Sequence, residues 1–571
     1  MRDRQRVRFA EFEVDFHAGE LSRCGVKIKL QRQPLQVLQL LLEQSGKLVT
    51  REELRQKIWP SDTFVDFEQG LYNAVRRLRD ALEDSADKPR FIETLARRGY
   101  RFIGTVETRP RKIESLAVLP LEDLSGAPEQ EYFAEGLTEA LITTLAKIGD
   151  LRVVSRTSAM RYKGVRKPLQ EIAQELDVDV VVEGTVLRAE QRVRITAQLI
   201  HAATETHLWA ETYDRELRDV LSLQSEVAQA IARQIQIKLT PQEQAHFEQI
   251  QVVDPEAYEA YLKGRYHWNR RSGKGLQYAV QYFQQAIAKD SAYVAAYAGL
   301  ADCLSLLGFW GFVHPDEGAG RAKQLALKAI EMNRGLAEAH TSLAWATIIY
   351  DFDFRTAERE YERAIELDPR YATAHQWFGI SLILMGRFDE GFTELKRAIR
   401  LDPLSIIINA TLGMGYWLAR RYDEQIEQFE KTLELDPDFA LAHAVLGYAY
   451  LYKCMHEQGI AEVRKGLELS QGAPTFLAWL AEAYAAGGYF DEAQEIMREL
   501  EQTSTQRYVM RYQIARICAA LGKKEEALQW LEIGYRERDP WTVALKVEPR
   551  FDDLRSDPRF QDLMVRMNFP A

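Results

Sequence analysis

Apolar positions along the chain switch between the period of a strand and the period of a helix. In residues 7–15 (VRFAEFEVD) and 25–30 (GVKIKL) they alternate with polar ones, which predicts a small antiparallel sheet turning at Cys24–Gly25. From Pro34 they recur at helical spacing through Leu35, Leu38, Leu41 and Leu42, and Gly46 ends that helix. A second helix opens at TREE, where Thr50 caps and Glu53 returns the bond, and stops at Pro60. In residues 71–84 (LYNAVRRLRDALED), Leu71, Val75, Leu78 and Leu82 form one narrow stripe. Asn73, Arg76, Arg77 and Asp80 fall opposite, Arg79 lies on the flank, and Asp66 is the expected cap. FIETLARRGYRFIG then alternates on both sides of a turn at Arg97–Gly99, which predicts a terminal hairpin.

From residue 113 strands and helices interleave. SLAVLP and LRVVSR read as strands, with the helix FAEGLTEALITTLAKIG between them. PLQEIAQEL reads as a helix, VDVVVEGTVLR and RVRITAQLI as longer paired strands, and LQSEVAQAIARQIQIKL as a closing helix. This is the pattern of a small α/β domain. Beyond residue 250 a period of 34 takes over: ELDP at Glu366, RLDP at Arg400 and ELDP at Glu434. Small residues recur in the same step at Gly379, Gly413, Gly447, Ala481 and Ala515, where two helices of a hairpin must cross closely.

At 571 residues the chain has room for about three or four domains. Its charge is uneven: residues 1–112 carry 23 Lys and Arg against 17 Asp and Glu, whereas the remainder is acidic and brings the total to −11. A basic head on an acidic body points to a nucleic-acid partner for the head. The longest stretch without a charge, residues 403–419, falls short of a membrane span, and no secretory signal follows Met1, so no membrane partner and a cytoplasmic location are expected. Cys24, Cys303, Cys454 and Cys518 form no CxxC pair, which argues against zinc and against a disulfide framework.

Four blocks of the head, VTREEL (49–54), VRRLRDAL (75–82), IETL (92–95) and RGYRF (98–102), give it a resemblance to the winged helix-turn-helix domain of OmpR/PhoB-type response regulators. The resemblance implies double-stranded DNA as partner, read by Asn73, Arg76, Arg77 and Arg79 on the recognition helix, with Thr94, Arg97 and Arg98 on the wing. Ala96 stands where the family often has an arginine, so the wing contact falls to its neighbours. The loop WPSDTFVDFEQ (59–69) matches a segment that touches RNA polymerase in some members; a plain connector is the other reading. The family's usual receiver domain does not precede the winged helix in this sequence, so the input is expected from downstream.

The blocks LAVLPLEDLSG, EYFAEGLTEALI, VVEGTVLR, RVRITAQLI and LWAETYDREL resemble the TolB amino-terminal-like domain. Glu129, Glu131, Glu135 and Glu139 are read as a solvated helix face, and His201 and His207 lack a third ligand, so neither catalysis nor a metal is expected there. The 34-residue repeat resembles the tetratricopeptide repeat, with about eight copies stacked as a solenoid and a carboxyl-terminal cap. By register Trp345, Ile380, Met414, Trp417, Tyr448 and Tyr452 face either a groove for a protein or peptide ligand or the inter-repeat core. His340, His375 and His443 recur at one repeat position, the first pair with one extra residue between them, and are read as packing.

The expected fold class is thus multidomain: an α+β winged helix (1–106), a small α/β domain (113–240), and an all-α tetratricopeptide-repeat solenoid with its cap (254–571). The expected function is a cytoplasmic, sequence-specific DNA-binding transcriptional regulator without cofactor or enzymatic activity, with a homodimer through the α/β domain left open. A membrane-anchored ToxR/CadC-type regulator would need an apolar span after the head, and residues 107–120 read ETRPRKIESLAVLP. The alternative is a repeat scaffold whose basic head does not read DNA sequence.

Overall fold

The computed structural model describes the chain except residues 1–5, 17–18, 24–25, 60–66, 108–112, 128–129, 150, 190, 238–239, 241–243, 245–252, 270–271, 471–472, 505–507 and 571. The turn at Cys24–Gly25, the cap at Asp66, most of the 59–69 loop and Glu129 therefore lie outside the described residues. The chain parts into two compact units, Met1–Lys112 and Ile113–Ala571.

Unit 1 begins with an antiparallel meander, β1 (Arg6–Phe9), β2 (Phe12–Asp15), β3 (Glu20–Arg23) and β4 (Val26–Ile28). Three helices follow: α1 (Arg32–Glu43), α2 (Arg51–Ile58) and α3 (Phe67–Leu82), with β5 (Leu48–Thr50) between the first two. A hairpin of β6 (Ile92–Leu95) and β7 (Gly99–Phe102) joins β5 in a second sheet, and β8 (Val106–Glu107) returns to pair with β1. Thr50 caps α2 as its sequence predicts, accepting from the Glu53 N–H while Glu53 Oε2 accepts from the Thr50 N–H at 2.7 Å. Phe9, Phe12, Phe91 and Phe102 interlock by stacked and edge-on contacts in the core. The apolar stripe of α3 closes that core from the other side.

Unit 2 opens with a mixed sheet in the order β11 (Arg152–Val153), β9 (Ser115–Val118), β12 (Val180–Ala189), β13 (Arg192–His201) and β14 (Thr206–Glu216), with β10 (Glu122–Asp123) beside β12. β9, β11, β10 and β12 run parallel where they pair; β13 and β14 continue antiparallel. Helices α4 (Glu131–Ala146) and α7 (Val220–Gln234) cover one face. Between them in sequence come α5 (Arg156–Met160) and α6 (Leu169–Leu176), the latter on the opposite face. Among the described residues eight helical hairpins follow, from Pro255–Asn269 to Lys524–Arg536. The first helix of this array is part of the α/β core: Ala257, Tyr258 and Leu262 are buried with Leu137 and Val227, and Gly136 leaves no room for a side chain beside Leu262. Farther along, Arg370 donates to the carbonyls of Ile148, Gly149 and Leu151, and Asp402 accepts from Ser155 Oγ at 2.6 Å.

A stretch of π-helix at Thr347–Asp351 accounts for the extra residue between His340 and His375, because a π turn inserts one residue without ending the helix. The segment after the eighth hairpin turns back along the first helices of the array. Trp541 stacks on Phe309 at 4.8 Å and donates its indole N–H to the Phe309 carbonyl. Arg550 Nε donates to Glu482 at 2.7 Å, Asp552 accepts from Arg420 at 2.6 Å, and Phe569 packs on Phe354.

Asp539, fully buried at the start of this segment, accepts from the Tyr512 and Trp541 backbone N–H groups. Burial pushes its carboxyl up to about 6, against the pull of those hydrogen bonds. Its unfolded value is about 3.9, so its contribution to stability is fully present below about pH 4 and is lost as pH rises through about 6. The expected outcome is that wild type loses about 2–3 kcal/mol relative to Asp539→Asn between pH 4 and 7. Urea melts at stepped pH check this, and a pH-independent difference would contradict it.

Candidate nucleic-acid interface

The apolar stripe of α3 fixes which of its polar residues face outward. With Leu71, Val75, Leu78 and Leu82 in the core, Tyr72, Arg76, Arg77 and Asp80 are exposed and Asn73 is half-buried. Arg76 makes no hydrogen bond or ion pair among the described residues. Arg77 donates to the Gln31 side chain at the start of α1 yet stays exposed. Arg79 behaves differently from the sequence expectation: it donates to the Ile92 carbonyl at 2.7 Å and to Thr94 Oγ1 at 2.8 Å. The Arg79 guanidinium thus braces α3 against the hairpin through two wing acceptors, one of them Thr94.

The hairpin is aimed by two further features. Asp84 accepts from the backbone N–H groups of Arg90, Phe91 and Ile92, which organises the approach to β6. At the tip Arg97 has φ +61°, and a Cβ on Gly99 would lie 2.0 Å from the Val49 carbonyl oxygen, so only glycine fits there. Arg97 and Arg98 are exposed at that tip. Arg51, at the first turn of α2, is ion-paired with Glu68 of α3. Sequence reading missed Arg51, Glu68 and Tyr72; only the exposure of Tyr72 opposite the apolar stripe was open to helical arithmetic.

In unit 2 the proposed groove residues are core. Trp417 and Tyr448 are each 1% exposed and stack on each other at 5.6 Å, while Trp345 packs against Phe309 and Trp377. Ile380 and Met414 are buried, and Tyr452 lies between Tyr422 and the Arg550 guanidinium. The physical reason is the carboxyl-terminal segment, which covers the face a ligand would need. Its buried Trp541, Val543, Leu545, Val547, Phe551 and Leu554 each contribute about 1.5–3 kcal/mol.

The carboxylates of α4 also depart from expectation. Glu135 and Glu139 are not a solvated face: Arg156 and Lys163 pair with Glu135 at 2.7 and 2.6 Å, and Arg265 pairs with Glu139 at 2.5 Å. These pairs fasten α4 to α5 and to helix Pro255–Asn269, around a small polar cleft. The repeat histidines each bridge two partners, as when His443 Nδ1 meets Glu462 at 2.6 Å and Nε2 meets the Pro437 carbonyl at 2.9 Å. His340 and His375 do the same with Glu360 and Glu394. His201 bonds Thr204. Among the described residues no group of His, Cys, Asp or Glu could hold a metal ion, and no helix is long and apolar enough to cross a membrane.

Comparison with known proteins gives two family matches. Residues 25–102 match the family described as transcriptional regulatory protein, C terminal, and residues 112–230 match the second domain of HilA/YgeH-like transcriptional regulators. The chain is 38% identical over 235 residues to a putative adenylate cyclase 3 of Rhizobium meliloti, spanning 41% of this chain and 40% of that protein. It is 23% identical over 382 residues to the transcriptional regulator HilA of Salmonella typhi, spanning 65% of this chain and 66% of that one. The chain thus covers less than two thirds of either relative. The solved structure of YrrB, a TPR protein with an unusual peptide-binding site, aligns with 33% of this chain and 91% of its own at 21% identity and a TM-score of 0.23.

Arg79→Ala removes a charged donor from two wing acceptors, worth about 1.5–3 kcal/mol. It is expected to raise amide exchange throughout β6 and β7, measured by hydrogen–deuterium exchange of the full chain. Arg76→Ala is expected to leave that protection unchanged; equal loosening by both would contradict the strut.

Proposed function

We propose that this chain is a sequence-specific, DNA-binding transcriptional regulator in which α3 enters the major groove and the β6–β7 wing lies along the backbone. Supporting the reading most directly is the outward face of α3, where Arg76 is exposed and unpaired among the described residues, within residues that match a transcriptional regulatory domain. Asn73 and Arg76 are assigned to base edges, and Arg77, Arg97 and Arg98 to base or phosphate contacts. The wing residue Thr94 and Arg79 set the distance between the two contact surfaces.

Unit 2 supplies the input. The α/β part and the helical array share buried residues, so a ligand that acts on one acts on a body that includes the other. Because the carboxyl-terminal segment covers the inner helices, a protein or peptide signal is read on outer surfaces of the array. RNA polymerase, met through residues 59–69, a homodimer through the α/β part, and action in the cytoplasm complete the reading; no catalysis is assigned.

Selection of duplex fragments bound by the full chain tests this. The expected result is an enriched motif bound with a slope of log K on log salt of about −4 to −5, for ~5 phosphate contacts. Arg76→Ala is expected to cost about 1–3 kcal/mol on that motif and to relax preference at one base pair. A flat salt dependence without enrichment would overturn the proposal.

A further inference from the structure

Among the described residues of unit 1, one large aromatic ring stands out into solvent. Phe9, Phe12, Phe91 and Phe102 are buried together, and Tyr100 is buried on the wing, yet Tyr72 on α3 is 58% exposed. It lies beside Asn73 in sequence and one turn before Arg76, in the amino-terminal half of the helix. That half is where a recognition helix meets base edges. Two other arginines of this region are engaged elsewhere, Arg79 by the wing and Arg51 by Glu68. Among the described residues, the ring is an exposed apolar group beside Asn73 and the unpaired Arg76.

We propose that Tyr72 is a specificity residue that packs its ring against the methyl group of a thymine. The inference rests on the DNA-reading assignment above and deepens it. In the major groove the bases present donors, acceptors and a single apolar feature, the C5-methyl of thymine. The apolar part of a tyrosine ring directed at base edges finds its apolar partner in that methyl, and Tyr72→Phe separates this contact from any made by the hydroxyl. Asn73 and Arg76 read hydrogen-bonding patterns, adenine and guanine respectively, so a ring one helical turn from Arg76 adds the recognition they lack.

The test uses the full chain and its selected duplex, with each thymine replaced in turn by deoxyuridine, which lacks only the methyl. For wild type and for Tyr72→Phe, one position is expected to weaken binding about fourfold, the value of one buried methyl. Tyr72→Ala is expected to bind the thymine and deoxyuridine duplexes equally at that position and to keep the wild-type salt slope, since the ring makes no ionic contact. If Tyr72→Ala keeps the same deoxyuridine sensitivity as wild type, or if no position is sensitive while binding stays sequence-selective, this assignment is overturned alone. If wild type shows no sequence-selective binding, the DNA-reading assignment fails and Tyr72 falls with it.

Discussion

In unit 2 the arrangement of the last four hairpins depends on one buried guanidinium. Arg516 is fully buried, lies 5.1 Å from the Trp417 ring and 5.0 Å from the Tyr448 ring, and pairs with Glu482 at 2.8 Å and Glu548 at 3.5 Å. Glu482 accepts in addition from Arg550 and from the Tyr448 hydroxyl. Burial alone would push the Glu482 carboxyl up, but Arg516 and Arg550 outweigh it and hold the group ionised. Removing one partner of such a cluster leaves an uncompensated charge in the interior, at a cost of about 3–5 kcal/mol. The charges therefore tie Glu548 and Arg550 to helices Ile406–Leu418, Ala440–Tyr452, Pro474–Ala486 and Arg511–Ala520.

That tie decides what the array can do. A tetratricopeptide-type solenoid left open offers a groove along its first helices; here the chain's own carboxyl-terminal segment lies on them. The surface chemistry left for recognition divides between the two units. In unit 1 the proposed set is Tyr72, Asn73 and Arg76 on α3 and Arg97 and Arg98 on the hairpin, with Arg79 bridging helix and hairpin. Unit 2 joins its α/β part to the helical array through Glu139–Arg265, Glu259–Arg188 and Asp402–Ser155.

Much of this was legible in the sequence because it is local. The stripe Leu71–Val75–Leu78–Leu82 set the outward face of α3, the Thr50–Glu53 box set the start of α2, and the period of 34 set the hairpins. The π turn at Thr347–Asp351 even left its mark as one extra residue between His340 and His375. What stayed hidden depends on distant partners. Trp417 and Tyr448 occupy groove register, but their burial comes from Arg516 and a segment about a hundred residues on. Glu135 and Glu139 look solvated until α5 and helix Pro255–Asn269 bring Arg156 and Arg265 against them. Arg79 sits on the flank of its helix, and only the position of β6 shows that it is a strut. β14 is hard to see in the sequence because its exposed, charged residues mask the alternation.

The most direct test of the account is hydrogen–deuterium exchange of the full chain with and without its selected duplex. The account predicts DNA-dependent protection in α3 and the β6–β7 hairpin, with residues 540–554 exchanging slowly in both states and unchanged by DNA. Protection that spared α3 and appeared instead along the first helices of the array would contradict it.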